Sequence, residues 1–310
     1  MKLLITGASG LLGINLAMEA LGEHEVVGVD RGKLKSAPFQ VVRADLTHGN
    51  VMDSLIDSTR PDWLVNCAAL ANLEKCEEDP LQARNLNTDL PGELAAACAK
   101  RNISFVHIST DAVFDGTREG AYTEKDEPNP PGIYSQTKLD GERRVQEVNP
   151  GAIIARVNFY GWSLGGQRSL GEFFVNNLRE GKPVSGFTDV IVCPMFVNET
   201  ARLLLEMLQK KLSGLYHVVG AQPRSKYQFG VEVARRFGLN ESLISPQSVK
   251  TSSLTAKRSQ NLWLSTHKLS TALAHEIPPF STGLGEFYTQ FQQGYPQKIR
   301  SYQQDSSLPE

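Results

Sequence analysis

Tyr134 and Lys138 stand four residues apart in Tyr134-Ser-Gln-Thr-Lys138. On a helix, positions i and i+4 are neighbours, so this spacing puts the phenol and the ammonium on one face. A phenol ordinarily ionises near pH ~10, and an adjacent cation that favours the phenolate moves it toward working pH. Tyr134 is therefore a candidate general acid, with Lys138 the group that tunes it. Taken alone, the pair describes an exposed tyrosine and lysine at a helix start better than it describes a catalytic pair. What separates the two readings is order along the chain: a glycine-rich loop comes first, then Ser109-Thr-Asp-Ala-Val-Phe-Asp-Gly116 after an apolar strand, then Tyr134 and Lys138.

The loop, Thr6-Gly7-Ala8-Ser9-Gly10-Leu11-Leu12-Gly13, spaces its glycines as GxxGxxG between a strand-like and a helix-like segment. In that setting a tight turn and a helix N-terminus can bring backbone amides to a pyrophosphate. Gly7, Gly10, Leu11, Leu12 and Gly13 are the candidate phosphate-binding positions. A plain reading is that the glycines only permit a sharp strand-to-helix turn. Asp30 ends the next strand, at the distance beyond the loop where a carboxylate accepts hydrogen bonds from an adenosine ribose, which favours NADH. The adjacent Arg31 could instead meet a 2′-phosphate, and both residues suit an ordinary solvated turn. The choice between NADPH and NADH stays open at this point.

Three blocks, Asn66–Pro80, Ser109–Gly116 and Tyr134–Glu142, together resemble the dTDP-4-dehydrorhamnose reductase family of extended short-chain dehydrogenases/reductases, and the likeness runs through most of the chain. The resemblance implies a doubly wound nucleotide domain, NADPH or NADH as cofactor, and reduction of a 4-keto nucleotide sugar. It implies that the Thr110 hydroxyl bonds the reacting oxygen, that Asp111 and Tyr134 stand beside the substrate, and that Lys138 holds the cofactor ribose. It also places Asp45 and Leu46 on the adenine, and Ala68 and Ala69 in a small-residue turn beneath the cofactor.

The sequence departs from the pattern at Ala112, where these reductases commonly carry tyrosine, at Phe159 in place of a tryptophan, and at Arg258–Leu264. Arg156-Val-Asn-Phe-Tyr-Gly161 also resembles nucleotide-sugar epimerases, which suggests an enzyme that keeps NAD bound. The Thr110-Asp111-Ala112 triplet lacks the glutamate of the related dehydratases. The family resemblance further includes the beta subunit of methionine adenosyltransferase, so a regulatory subunit is a third reading.

These groups must be positioned by an α/β fold, a doubly wound parallel sheet with a smaller C-terminal substrate-binding region. Strand-like segments at Lys2–Thr6, Glu25–Val29, Asp62–Cys67, Ser104–Ile108 and Ala152–Val157 alternate with helical patterns at Leu11–Leu21, Leu81–Lys100 and Tyr134–Gln146. Residues 1–160 are expected to form the dinucleotide-binding domain, with the sheet revisited by about 188–220 through a strand at Leu212–Val219. Residues 161–300 supply mainly the substrate-binding region, and 301–310 a polar tail.

The chain has 310 residues, 40% of them hydrophobic, and a net charge of −2, which gives no electrostatic footprint for nucleic acid. No apolar run approaches the ~20 residues of a membrane span. A nucleotide sugar is the expected partner, with neither nucleic acid nor membrane, and a homodimer is left open. Cys67, Cys76, Cys98 and Cys193 lack metal-like or disulfide-rich spacing, which suits packing roles in a reducing compartment, and the expected location is cytoplasmic. The six histidines show no ligand spacing, His217 reads as a core residue, and no catalytic metal is expected. Trp162, Arg168 and Trp263 fit core or surface roles as well as a sugar pocket.

Overall fold

A computed structural model describes residues 1–48, 51–251 and 259–303. Residues 304–310 of the polar tail, and Arg258, lie outside the described residues.

The apolar runs become the strands of one parallel sheet: β1 (Lys2–Thr6), β2 (Glu25–Asp30), β3 (Gln40–Arg43), β4 (Trp63–Asn66), β5 (Ser104–Thr110) and β6 (Ile153–Val157), with Gly214–Val218 added beside β6. The spatial order is Gly214–Val218, β6, β5, β4, β1, β2, β3, and every neighbouring pair is parallel. Strand order therefore reverses between β1 and β4, the place where doubly wound sheets bind ligands at the carboxyl ends of their strands.

Successive side chains on a strand point to opposite faces, and the two faces here feed two cores. Leu3, Ile5, Trp63, Val65, Val106, Ile108, Ile153 and Ala155 enter one, while Leu4, Leu64, Phe105 and Ile154 enter the other. Burial on both faces is why these strands read as continuous apolar runs rather than as alternating ones.

The helical segment Leu81–Lys100 is broken in register. Pro80–Arg84 is α-helical, Asn85–Asp89 is a π turn, and Leu90–Lys100 resumes the α-helix. Pro91 has no N–H to return to the Asn87 carbonyl, and its ring would crowd that carbonyl in a regular helix. The Leu90 amide reaches back to the Asn85 carbonyl instead, so the helix widens by one residue.

The helix Ile133–Val148 packs on this π turn. A Cβ on Gly141 would lie 2.1 Å from the Asn87 oxygen, so only glycine permits that approach. The contact is fixed laterally by bonds from Asn87 Nδ2 to Thr137 Oγ1 at 3.2 Å and from Thr88 Oγ1 to the Thr137 carbonyl at 2.8 Å.

After β6 the chain alternates between the sheet and a smaller lobe of helices Leu170–Arg179, Lys226–Phe237 and Phe280–Gln292 with short strand pairs. Trp162 is buried there, stacked on Phe287 and bonded through Nε1 to the Phe287 carbonyl, which makes it a core residue. Arg168 and Trp263 are exposed. No helix among the described residues is long and apolar enough to cross a membrane.

Candidate active site

At the carboxyl end of β1 the chain turns through Gly7, whose φ of +64° lies in the left-handed region. A Cβ on Gly7 would come within 2.8 Å of the Ala68 nitrogen, and one on Gly13 within 2.3 Å of the Gly7 oxygen. The turn therefore seats directly on the segment after β4. The Gly10 amide bonds the Gly7 carbonyl at 2.8 Å, and Gly10 caps the Leu11–Ala20 helix without a side chain. First-turn amides of a helix have no intrahelical acceptor. Those of Leu11, Leu12 and Gly13 are thus presented at the reversal point of the sheet, a cradle that fits a pyrophosphate.

Asp30 is buried at the end of β2, and its Oδ1 accepts from the amides of Gly32 at 2.8 Å and Lys33 at 2.5 Å, so one carboxylate oxygen is used to close the following turn. Arg31 is exposed, with Nη1 3.9 Å from Asp45 Oδ2. Asp45 is held below the usual carboxylate range chiefly by the Thr47 hydroxyl, 2.6 Å from its Oδ1. Leu46 is buried in the core beneath the β3 end. Ala68 is half-buried against Gly7, and Ala69 is exposed.

At the end of β5 lies a second cluster. The Thr110 hydroxyl lies beside the Tyr134 phenol and acts to lower its pKa. It also accepts from the Ala112 amide at 3.2 Å and donates to Asp111 Oδ1 at 3.2 Å. Asp111 is buried, receives Asn158 Nδ2 on its other oxygen at 2.6 Å, and is pushed up to about 6 by burial despite these donors and nearby Lys226. The structure thus brings Thr110, Asp111 and Tyr134 together, with Lys138 one turn along the same helix.

Lys138 is buried and drawn down to about 8 by desolvation, with Nζ 2.6 Å from the Ile108 carbonyl oxygen. Tyr134 does not show the lowering expected from this neighbour. Burial pushes the phenol up to about 12, Asp111 and Cys76 add to the rise, and only the Thr110 hydroxyl opposes it. The reason is geometric: the Lys138 nitrogen is turned toward the β5 backbone and His107.

With strand order, glycine turn and hydroxyl cluster in place, the comparison with known proteins is decisive. A family model described as the RmlD substrate binding domain matches residues 1–293. The chain belongs to that family. A probable low-salt glycan biosynthesis reductase, Agl14, of Haloferax volcanii is 36% identical over 245 residues, covering 77% of this chain and 81% of the relative. Methionine adenosyltransferase 2 subunit beta of Mus musculus is 30% identical over 306 residues, covering 92% of this chain and 86% of the relative. The crystal structure of a dTDP-4-dehydrorhamnose reductase from Clostridium acetobutylicum matches with a TM-score of 0.83 and 29% identity, covering 94% of this chain and 100% of that one. The extended short-chain dehydrogenase/reductase resemblance carried by the motif blocks holds.

In this RmlD-family chain the departures occupy defined places. Ala112 is half-buried in the turn after Thr110, and Phe159 pairs with Met195 in a short parallel ladder. Two polar residues at the site were not singled out from the sequence. Asn158 follows an apolar strand, and its proximity to Asp111 depends on β5 and β6 lying side by side. His107 sits within the apolar run of β5 and reads there as core. The four cysteines are free thiols, and burial pushes Cys67, Cys98 and Cys193 up to about 12 and Cys76 up to about 11, so none has the character of a reactive thiolate. His217 is a core residue with one ring nitrogen 3.3 Å from the Ser265 carbonyl and the other unpartnered among the described residues.

Proposed function

We propose that this chain reduces the 4-keto group of a nucleotide sugar, in the manner of a dTDP-4-dehydrorhamnose reductase, with NADPH or NADH as the reductant. It is an NAD(P)-dependent oxidoreductase of the short-chain dehydrogenase/reductase type. The observation that carries the reading is the Thr110 hydroxyl set beside the Tyr134 phenol at the carboxyl end of β5, at the same end of the sheet as the open amides that follow Gly10.

The nicotinamide cofactor, when bound, supplies the hydride. The amides of Leu11, Leu12 and Gly13 bind its pyrophosphate, Asp30 and Arg31 face the adenosine ribose, and Asp45, Leu46, Ala68 and Ala69 border the adenine and the floor of the site. Lys138 holds the second ribose. Thr110 bonds the substrate's carbonyl oxygen, and Tyr134 delivers the proton to that oxygen as charge develops on it. A phenol held at about 12 stays protonated across the neutral range, so Tyr134 is present in its donor form. Asp111 and Asn158 are placed to bind sugar hydroxyls.

Residues 1–160 form the dinucleotide-binding part in this reading, and 161–300 mainly the part that holds the sugar nucleotide. We assign the protein to the cytoplasm, and a homodimer is the assembly to look for by solution mass. The deciding experiment supplies purified protein with NADPH or NADH and a panel of nucleotide 4-keto-6-deoxy sugars. Cofactor oxidation with formation of the alcohol supports the reading, and no turnover across the panel overturns it. The similarity to the methionine adenosyltransferase subunit favours one competing reading, a regulatory subunit; a stoichiometric hetero-oligomer purified from native extract would select it.

A further inference from the structure

Thr6, Asn66 and His107 occupy one rung across three adjacent strands: Thr6 is in register with Asn66, and Asn66 with His107. All three are fully buried or nearly so. A hydrogen-bonded chain runs along the rung. Thr6 Oγ1 donates to Asn66 Oδ1 at 2.6 Å, Asn66 Nδ2 lies 3.3 Å from His107 Nδ1, and His107 Nε2 lies 3.4 Å from Lys138 Nζ.

The direction of this chain can be read from its anchored end. The Ala68 amide, which can only donate, points at Asn66 Oδ1 at 3.3 Å. The 2.6 Å separation between Thr6 and Asn66 fits O–H···O and is short for N–H···O. Both facts put the oxygen of Asn66 toward Thr6 and its NH₂ toward His107. An NH₂ only donates, so His107 Nδ1 must be the acceptor, and the proton of the neutral ring is on Nε2.

We propose that His107 is a positioning residue, fixed by the Asn66 amide as its Nε2–H tautomer so that it presents a donor, not an acceptor, to the Lys138 nitrogen. As an amine, Lys138 donates one N–H to the Ile108 carbonyl and takes the imidazole N–H on its lone pair. As an ammonium it confronts a donor. The tautomer thereby favours the amine form in a site where burial already acts in the same direction. His107 itself is held well below the usual imidazole range chiefly by burial.

Other groups face the same nitrogen. Cys67 approaches from the segment after β4, the Ile108 carbonyl from β5, and Glu142 from one turn further along its own helix. Glu142 is engaged by Arg156, with Nη2 at 2.7 Å, and by Ser109, with Oγ at 2.5 Å, which leaves His107 as the neighbour whose polarity a small change can invert.

The consequence for chemistry rests on the role given to Lys138 above, but the tautomer does not, and it is tested on the protein alone. NMR of protein carrying isotopically labelled histidine, assigned with His107→Phe, reports which ring nitrogen bears the proton across neutral pH. The expected result is an unprotonated Nδ1 and a protonated Nε2; a proton on Nδ1 in the wild type overturns the proposal. Asn66→Asp replaces the NH₂ with an acceptor, which should move the proton to Nδ1 and turn Nε2 into an acceptor for the ammonium. The Lys138 titration midpoint, followed on a labelled side chain, should then rise by on the order of one pH unit. An unchanged midpoint with an inverted tautomer would refute the coupling to Lys138. Because neither measurement uses a sugar substrate, failure here leaves the reductase reading standing, and an inactive protein could still pass.

Discussion

Thr110, at the carboxyl end of β5, stands beside Tyr134, in the first turn of the Ile133–Val148 helix, and its hydroxyl acts against the burial that raises the phenol. A substrate carbonyl oxygen that enters there meets both hydroxyls at once, with Tyr134 as the acid. Removing the phenol oxygen therefore removes a transition-state contact and leaves the glycine turn intact. Tyr134→Phe is expected to lower kcat for ketosugar reduction about 10²–10⁴-fold with little change in nucleotide affinity. Near-normal turnover, with binding confirmed by fluorescence titration, would rule out Tyr134 as the proton donor.

Asp111 gives a pH prediction whose sign follows from burial. Its carboxyl is raised from 3.8 to about 6 in the folded chain, so the folded state binds this proton more tightly than the unfolded one. Stability should therefore fall as pH rises from about 4 to about 6 and level off above. The contribution is on the order of 3 kcal/mol at most, from ~1.4 kcal/mol per unit. Thermal midpoints of wild type and Asp111→Asn, compared across this range, isolate it: the difference should shift toward the variant at the upper end. A pH-independent difference would show that Asp111 titrates normally.

Gly7→Ala tests the cradle. The substitution forces an L-residue into a left-handed conformation, at about 1–2 kcal/mol, and drives a Cβ to 2.8 Å from the Ala68 backbone. Both strain and displacement act on the turn that presents the amides. Loss of NADPH and NADH binding in a calorimetric titration, with the fold retained by circular dichroism, is the expected outcome. Full binding would remove the glycine turn from the site.

The strands and the Gly7–Gly13 turn were legible because central parallel strands are buried on both faces and so appear as short apolar runs between polar turns. The Tyr134 and Lys138 positions were singled out by their spacing only in combination with the order of the preceding blocks, and the turning of the Lys138 nitrogen toward β5 and His107 was not legible. The π turn at Asn85–Asp89 was not legible either, since an alanine-rich helix conceals it; it follows from the missing N–H of Pro91, and Gly141 packs against it. Asn158 and His107 were hidden for a similar reason: each acquires its meaning from the neighbouring strand, Asn158 from β5 and His107 from β4. Periodicity carries no information about which strands become neighbours.

That π contact yields its own prediction. Gly141→Ala would put a Cβ 2.1 Å from the Asn87 carbonyl oxygen, a backbone atom that cannot swing aside. The Ile133–Val148 helix must move away, taking Tyr134 and Lys138 with it. Overpacking of this kind typically costs 1–3 kcal/mol. A lowered thermal midpoint together with a fall in kcat is expected, although the residue touches neither cofactor nor sugar; wild-type values for both would show that the π turn does not hold the helix in place.

Asp30 separates a structural from a recognitional role through two substitutions. One carboxylate oxygen already accepts from the Gly32 and Lys33 amides, so Asp30→Ala should loosen the turn and weaken NADH and NADPH together. Asp30→Asn can keep that oxygen in place while exchanging the other for an NH₂, which accepts nothing from a ribose diol and carries no charge to repel a 2′-phosphate. NADH affinity should then fall, while NADPH affinity is held or improved with Arg31 beside it. The contrast between the two variants, read as the ratio of dissociation constants for the two cofactors, is the discriminating quantity. If both substitutions lower both affinities in equal proportion, Asp30 serves only the turn, and cofactor preference must come from Arg31 or another residue.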